Sequence, residues 1–147
     1  MSTYTIGFTK KNAKIFFNFL KEARITKLID VRLNNVSQLA GFAKKDDLKF
    51  FLNELCDGAE YIHTPELAPT KDMLSAYKKG NMTWEKYETD FLKLMEERDI
   101  QNKFKPDFFE NGCLLCSEHE PHNCHRKLVV DYLNEHWKTK LDVKHLY

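Results

Sequence analysis

The sequence predicts an α/β fold: a single domain with a mainly parallel sheet of about four or five strands, flanked by helices on both faces. Three observations predict it. Short apolar runs alternate along the chain with longer stretches whose apolar residues recur at helical spacing. The run Leu28-Ile29 is apolar without alternation, as in a strand covered on both faces. The 147 residues, 42% apolar and with eleven phenylalanines, suffice for one core, and no repeat or low-complexity segment divides them.

Taken in order, Tyr4–Thr9 is the first expected strand. Gly7 falls near its end, where the backbone either passes close to a ligand or simply leaves the strand. Asn12 caps a helix with Ile15, Phe16, Phe19, Leu20 and Ala23 on its buried face. Thr26–Arg32 reads as the second strand. Asp30 and Arg32 are two apart at its carboxyl end and point to one face. They form either a structural ion pair or part of a site, since that edge of an open α/β sheet is where ligands bind.

A polar, irregular stretch follows from Asn34 to Lys45. Asp46 or Asp47 then starts a helix facing inward through Leu48, Phe51, Leu52 and Leu55, and Gly58 ends it. Ala59–His63 is the third strand. Pro65 and Pro69 stiffen the loop beyond it and set Glu66 at the strand end, a position that ordinary loop solvation also explains. Residues 70–98 are helical with a break at Gly80-Asn81. Met73, Leu74 and Tyr77 lead to Trp84, Tyr87, Phe91, Leu94 and Met95, an aromatic stripe of the kind that packs a core. Phe104, Phe108 and Phe109 anchor the connector from Lys103 to Asn111. Cys113–Cys116 is the next strand, and a helix from about Asn123 buries Leu128, Val129, Tyr132 and Leu133. Leu141-Asp-Val ties down the tail as an edge strand.

Charge is balanced, 23 Lys+Arg against 22 Asp+Glu, which argues against a dedicated nucleic-acid-binding subunit. No apolar run approaches the roughly 18 residues of a membrane span. The N-terminus lacks the charged and apolar regions of a signal peptide, so a cytoplasmic protein without membrane association is expected. In that compartment four cysteines are free, metal-bound or reactive rather than a disulfide framework.

The chemistry concentrates in Cys113-Leu-Leu-Cys-Ser-Glu-His-Glu-Pro-His-Asn-Cys-His-Arg126, which holds three of the four cysteines and three of the six histidines. Three mechanisms fit such residues. Cys116, His119, His122, Cys124 and His125 are all zinc-ligand types, but their spacing is not that of the common zinc sites, which join two separated ligand pairs. A thiolate nucleophile is the second. Cys124 stands at a helix start beside His125 and Arg126, and Cys116 ends a strand that points into the same loop. A Cys-x5-Arg phosphatase or sulfurtransferase loop is absent, because Arg126 is ten residues after Cys116 and two after Cys124. The third is anion binding by Arg32, Arg126 and the helix N-terminus, with Glu118 and Glu66 as acid, base or hydroxyl acceptors. Helical phase turns Cys124 and His125 toward the sheet and sets Arg126, in line with Val130, at the flank. Cys113 and Cys56 read as core residues.

At these residues the chain resembles the DUF488 family. The matching stretches are Thr5-Ile-Gly-Phe-Thr9, Leu28-Ile-Asp-Val-Arg32, Tyr61-Ile-His-Thr-Pro-Glu-Leu67, and Leu114-Leu-Cys-Ser-Glu118 with the later Cys124-His-Arg126. Phe8 stands where the family often has His, and Thr9 replaces Ser but keeps the hydroxyl. The resemblance implies an α/β domain with one shared site and supplies no reaction. It gathers Gly7, Thr9, Asp30, Arg32, Glu66, Cys116, Glu118, Cys124, His125 and Arg126, and leaves His119 and His122 outside the pattern.

The expectation is a small enzyme acting on an anionic, phosphate-bearing substrate such as a nucleotide or nucleic acid. Cys116, Glu118, Cys124, His125 and Glu66 are its candidate catalytic groups; Arg32, Arg126, Asp30, Gly7 and Thr9 are its candidate binding groups. The alternative is a zinc- or ligand-binding module without turnover. The sequence leaves cofactor and oligomeric state open.

Overall fold

The computed structural model describes residues 2–35, 41–118 and 123–147. His119 and His122, weighed above as metal ligands, lie outside the described residues, as does part of the irregular stretch after Arg32. The chain forms β1 (Ser2–Gly7), α1 (Ala13–Ala23), β2 (Lys27–Asp30), α2 (Lys45–Leu55), β3 (Glu60–His63), α3 (Lys71–Lys78) and α4 (Trp84–Glu97). Then come α5 (Ile100–Lys103), α6 (Pro106–Phe109), β4 (Gly112–Cys116), α7 (His125–His136) and β5 (Asp142–Leu146). The five strands make one sheet in the order β3-β2-β4-β1-β5, and every pairing is parallel. The expected α/β class therefore holds, with the sheet fully rather than mainly parallel.

Alternation along the strands splits the core in two. Cys113 and Leu115 of β4 join Leu28, Phe16, Phe17, Leu20, Leu48 and Leu52 on the face covered by α1 and α2. Leu114 and Cys116 join Ile29, Phe91, Met95, Phe109, Leu128, Val129 and Leu133 on the face covered by α4, α6 and α7. All of β4 is buried, as expected of a central strand covered on both sides. The chain leaves β1 toward one face and leaves β4, its neighbour, toward the other. A crevice lies at the carboxyl ends of β2 and β4, the edge where open α/β sheets bind ligands.

Several boundaries moved for physical reasons. β2 stops at Asp30 rather than Arg32, because the Arg32 N–H donates to the Asp30 carboxylate instead of to a neighbouring strand. Phe17 rather than Ile15 is buried on α1; Ile15 is 46% exposed. The connector after Lys103 contains α6, and Phe104, Phe108 and Phe109 pack ring against ring beneath it. The edge strand at the tail is present as β5, paired with β1.

Candidate functional site

β4 delivers Cys116 to the crevice. α7 starts just past it, with Cys124 as its N-cap residue and His125 in its first turn. The left-handed conformation of Asn123 (φ 55°) turns the chain into that helix. One ligand atom each from Cys116, Cys124 and His125 lies within 4.8 Å of the others, and all three residues are buried. The Cys116 Sγ is 3.4 Å from His125 Nδ1 and 3.9 Å from Nε2, so it lies against the face of the ring on the side of the two nitrogens. His125 Nε2 is 2.8 Å from the Val31 carbonyl oxygen. A carbonyl only accepts, so Nε2 carries a proton and, in the neutral ring, Nδ1 is left as the acceptor. The Phe91 ring packs against the imidazole at 5.6 Å.

The two sulfurs are electrostatically unlike. A hydrogen bond from the Cys124 thiol holds Cys116 below its ordinary pKa. The Arg126 charge and the backbone N–H groups of Ser117 and Glu118 add to this, against the cost of burial. Burial, and then the neighbouring Cys116, push Cys124 well above its ordinary value. Of the two sulfurs, Cys116 is the more readily ionised. Cys113, facing the other side of the sheet, is raised by burial. All four cysteines are free thiols.

Arg126 is fully buried behind the sulfurs rather than flanking the site. Its Nε donates to Thr5 Oγ1, and its Nη1 donates to the Glu118 carbonyl oxygen and reaches Cys124 Sγ at 3.6 Å. The correction follows from α7 itself: Val130, the residue in phase with Arg126, is also fully buried, so the helix buries a broad arc and not one stripe. Gly7 makes room for this arrangement. A Cβ built there would stand 1.4 Å from the Glu118 carbonyl oxygen and 2.8 Å from Arg126 Nη1. The close approach anticipated at Gly7 is thus made by the chain's own backbone. Thr9 fixes the same segment, its N–H and Oγ1 both donating to the Ser117 carbonyl oxygen.

Asp30 is fully buried and committed to structure. Its Oδ1 accepts from the Arg32 N–H and Nε, and its Oδ2 accepts from Arg32 Nη2 at 2.8 Å and from the Tyr61 hydroxyl. Arg32 Nη2 also donates to the Ala43 carbonyl oxygen, and its guanidinium lies over the Phe8 ring. Among the described residues no hydrogen bond engages Arg32 Nη1, and Arg32 lines the cavity described next.

A cavity of about 420 Å3 opens on this cluster. Cys116, Ser117, Glu118, Cys124, His125, Asn123 and Arg32 line its polar side; Leu33, Pro69, Leu74, Tyr77, Trp84 and Tyr87 line its apolar side. Tyr77, Trp84 and Tyr87 contact one another at 5.0–5.7 Å between centroids. Among the described residues the buried Asn123 Oδ1 has no hydrogen-bond partner. Helical spacing marked Tyr77, Trp84 and Tyr87 as core, and no signal in the sequence distinguished the two that are only half-buried, Tyr77 and Trp84, as a cavity wall. Glu66 is not among the lining residues. It is exposed in a 3-10 turn whose carbonyls, including its own, accept from Arg98.

Residues 12–133 match the family model of DUF488, a domain of unknown function. The chain belongs to the DUF488 family. The matched span of this DUF488 chain contains β2, β3, β4 and the start of α7, and so carries Arg32, Cys116, Cys124 and His125; β1 with Gly7 precedes it. No curated protein and no solved structure gave a match. Among the described residues no helix is long and apolar enough to cross a membrane.

Proposed function

We propose that this DUF488 protein is a thiol-dependent enzyme acting on a small phosphate-bearing substrate with a flat ring, such as a nucleotide. One observation carries the reading: Cys116 Sγ, supported by the Cys124 thiol and beside His125, borders a cavity that Arg32 also lines. Arg32 is held by Asp30 so that its remaining nitrogen can meet an anion. Tyr77 and Trp84 offer ring faces for stacking, and a cavity of about 420 Å3 is of the size that holds such ligands.

In this reading Cys116 Sγ attacks the electrophilic centre, forming a bond to sulfur as the leaving group departs. His125 Nδ1 takes the thiol proton where Cys116 is not already ionised. Glu118, exposed at the cavity rim, gives a proton to the leaving group and then takes one from the water that releases the product. Arg126 acts from behind, favouring negative charge on Cys116 without touching substrate.

The test compares alkylation of Cys116 by iodoacetate and by iodoacetamide at neutral pH. An anion-receiving site reacts faster with iodoacetate, relative to iodoacetamide, than a free thiol does. Inorganic phosphate should protect Cys116, and Arg32→Gln should remove both effects. An iodoacetate preference no greater than that of free cysteine would sink the proposal.

A second reading rests on the same three residues, whose ligand atoms within 4.8 Å could hold zinc with a fourth position open to the cavity. Elemental analysis of protein purified without chelator decides it. One equivalent of zinc, lost in Cys124→Ser, supports the metal reading and excludes a free Cys116 nucleophile.

A further inference from the structure

We infer that Cys116 and Cys124 form a reversible disulfide, with a hydroperoxide as the oxidant. This goes beyond the catalytic reading and uses the same sulfur. Two cysteines eight positions apart in sequence are brought together by β4 and the start of α7, and both border the cavity. The other two thiols are excluded from the exchange. Cys113 points to the opposite face of the sheet, and Cys56 follows α2 in that other core cluster. A small hydroperoxide reaches Cys116 from the cavity that both sulfurs border, and Cys124 Sγ lies within 4.8 Å of Cys116 Sγ.

The chemistry balances in two steps. Cys116 thiolate attacks the terminal oxygen of the hydroperoxide, an S–O bond forms and the O–O bond breaks. The sulfur loses two electrons to the departing alkoxide or hydroxide, which leaves as alcohol or water after taking a proton. The Cys124 sulfur then attacks the sulfenic sulfur, an S–S bond forms and the S–O bond breaks, and the sulfenic hydroxyl leaves as water on taking up the Cys124 proton. A dithiol reductant reverses the change. The sulfurs must close from within 4.8 Å to about 2 Å, a movement that side-chain rotation of Cys116 at its strand end and Cys124 at the helix N-cap can share.

The experiment treats the reduced chain with hydrogen peroxide, quenches with N-ethylmaleimide and maps the peptides. The expected result is loss of two of the four alkylatable thiols, a species lighter by two hydrogens that links Cys116 to Cys124, and full recovery with dithiothreitol. In Cys124→Ser the link is lost and a dimedone adduct accumulates on Cys116. Cys56→Ser should leave the result unchanged and controls for the handling of the chain. Oxidation of wild-type Cys116 to sulfenic or sulfinic acid without a link to Cys124 overturns the disulfide while leaving Cys116 as a nucleophile. Four intact thiols after peroxide overturn the disulfide, and Cys116 also inert to iodoacetamide removes the catalytic reading with it.

Discussion

At the scale of single residues, the site is an asymmetric pair of thiols, Cys116 with its pKa lowered and Cys124 with its pKa raised. The first cause of the lowered Cys116 pKa is the bond from Cys124, so removing that donor should weaken the nucleophile more than it changes the fold. Wild-type Cys116 should alkylate with a midpoint below the ordinary thiol value, and Cys124→Ala should move that midpoint upward, read from the pH dependence of the labelling rate. Asp30 makes a different prediction. It is a buried carboxylate whose bonds go to Arg32 and Tyr61, so Asp30→Ala strands a guanidinium and should cost about 3–5 kcal/mol in urea unfolding. The Asp-x-Arg pattern was legible as a pair two residues apart at a strand end. Which member faces a ligand was not, because that depends on Tyr61 and Ala43, contributed by other elements.

At the scale of elements, the deciding contact is β1 against the segment leaving β4. Gly7 pairs with Cys116, and the Glu118 backbone crosses the place where a side chain would begin. Gly7→Ala must displace either the strand or that backbone. Its cost should exceed the ~1–3 kcal/mol of ordinary overpacking, and Cys116 labelling should slow in whatever fraction remains folded. A Gly7→Ala protein with unchanged unfolding midpoint and labelling rate would contradict this packing.

Elements also explain where sequence reasoning stopped. Strand and helix identities were legible from periodicity, and the Cys116, Cys124 and His125 cluster from a strand end and a helix start. Helical phase alone sets Arg126 at the flank of a single buried stripe, whereas α7 buries a wider arc that includes it. Glu66 followed a strand, but the turn Pro65–Leu67 drives Leu67 into the core and leaves Glu66 outside. Tyr77 and Trp84 carry no local sign of their role, since a half-buried and a buried aromatic have the same spacing.

At the scale of the whole molecule, the all-parallel sheet and its two covered faces set the response to alkali. Burial raises the pKa of Cys113, Cys124, Tyr61 and Tyr87 in the folded chain. Above the ordinary thiol and phenol values of 9.0 and 10.0, the unfolded chain releases protons that the folded chain still holds, so it binds fewer. Stability contributed by these groups is therefore complete below those values and falls as pH rises toward the elevated folded ones. Cys116 has the opposite sign: its contribution is present above the ordinary thiol value and is lost as pH falls through its depressed one. Raised groups outnumber the lowered thiol, so urea midpoints should decline from about pH 9 upward. A flat profile through pH 11 would mean that these side chains are more hydrated than their packing implies.

The same architecture places one thiol of lowered pKa, one imidazole and one half-committed arginine at the cavity beyond β2 and β4, and the most direct test is competition among the thiols. Native protein is exposed to substoichiometric iodoacetamide at neutral pH, with and without inorganic phosphate, and each of the four cysteines is quantified by peptide mass. Cys116 should be labelled first, and phosphate should slow it selectively. Preferential labelling of Cys56, Cys113 or Cys124, or a Cys116 rate indifferent to phosphate, would contradict it.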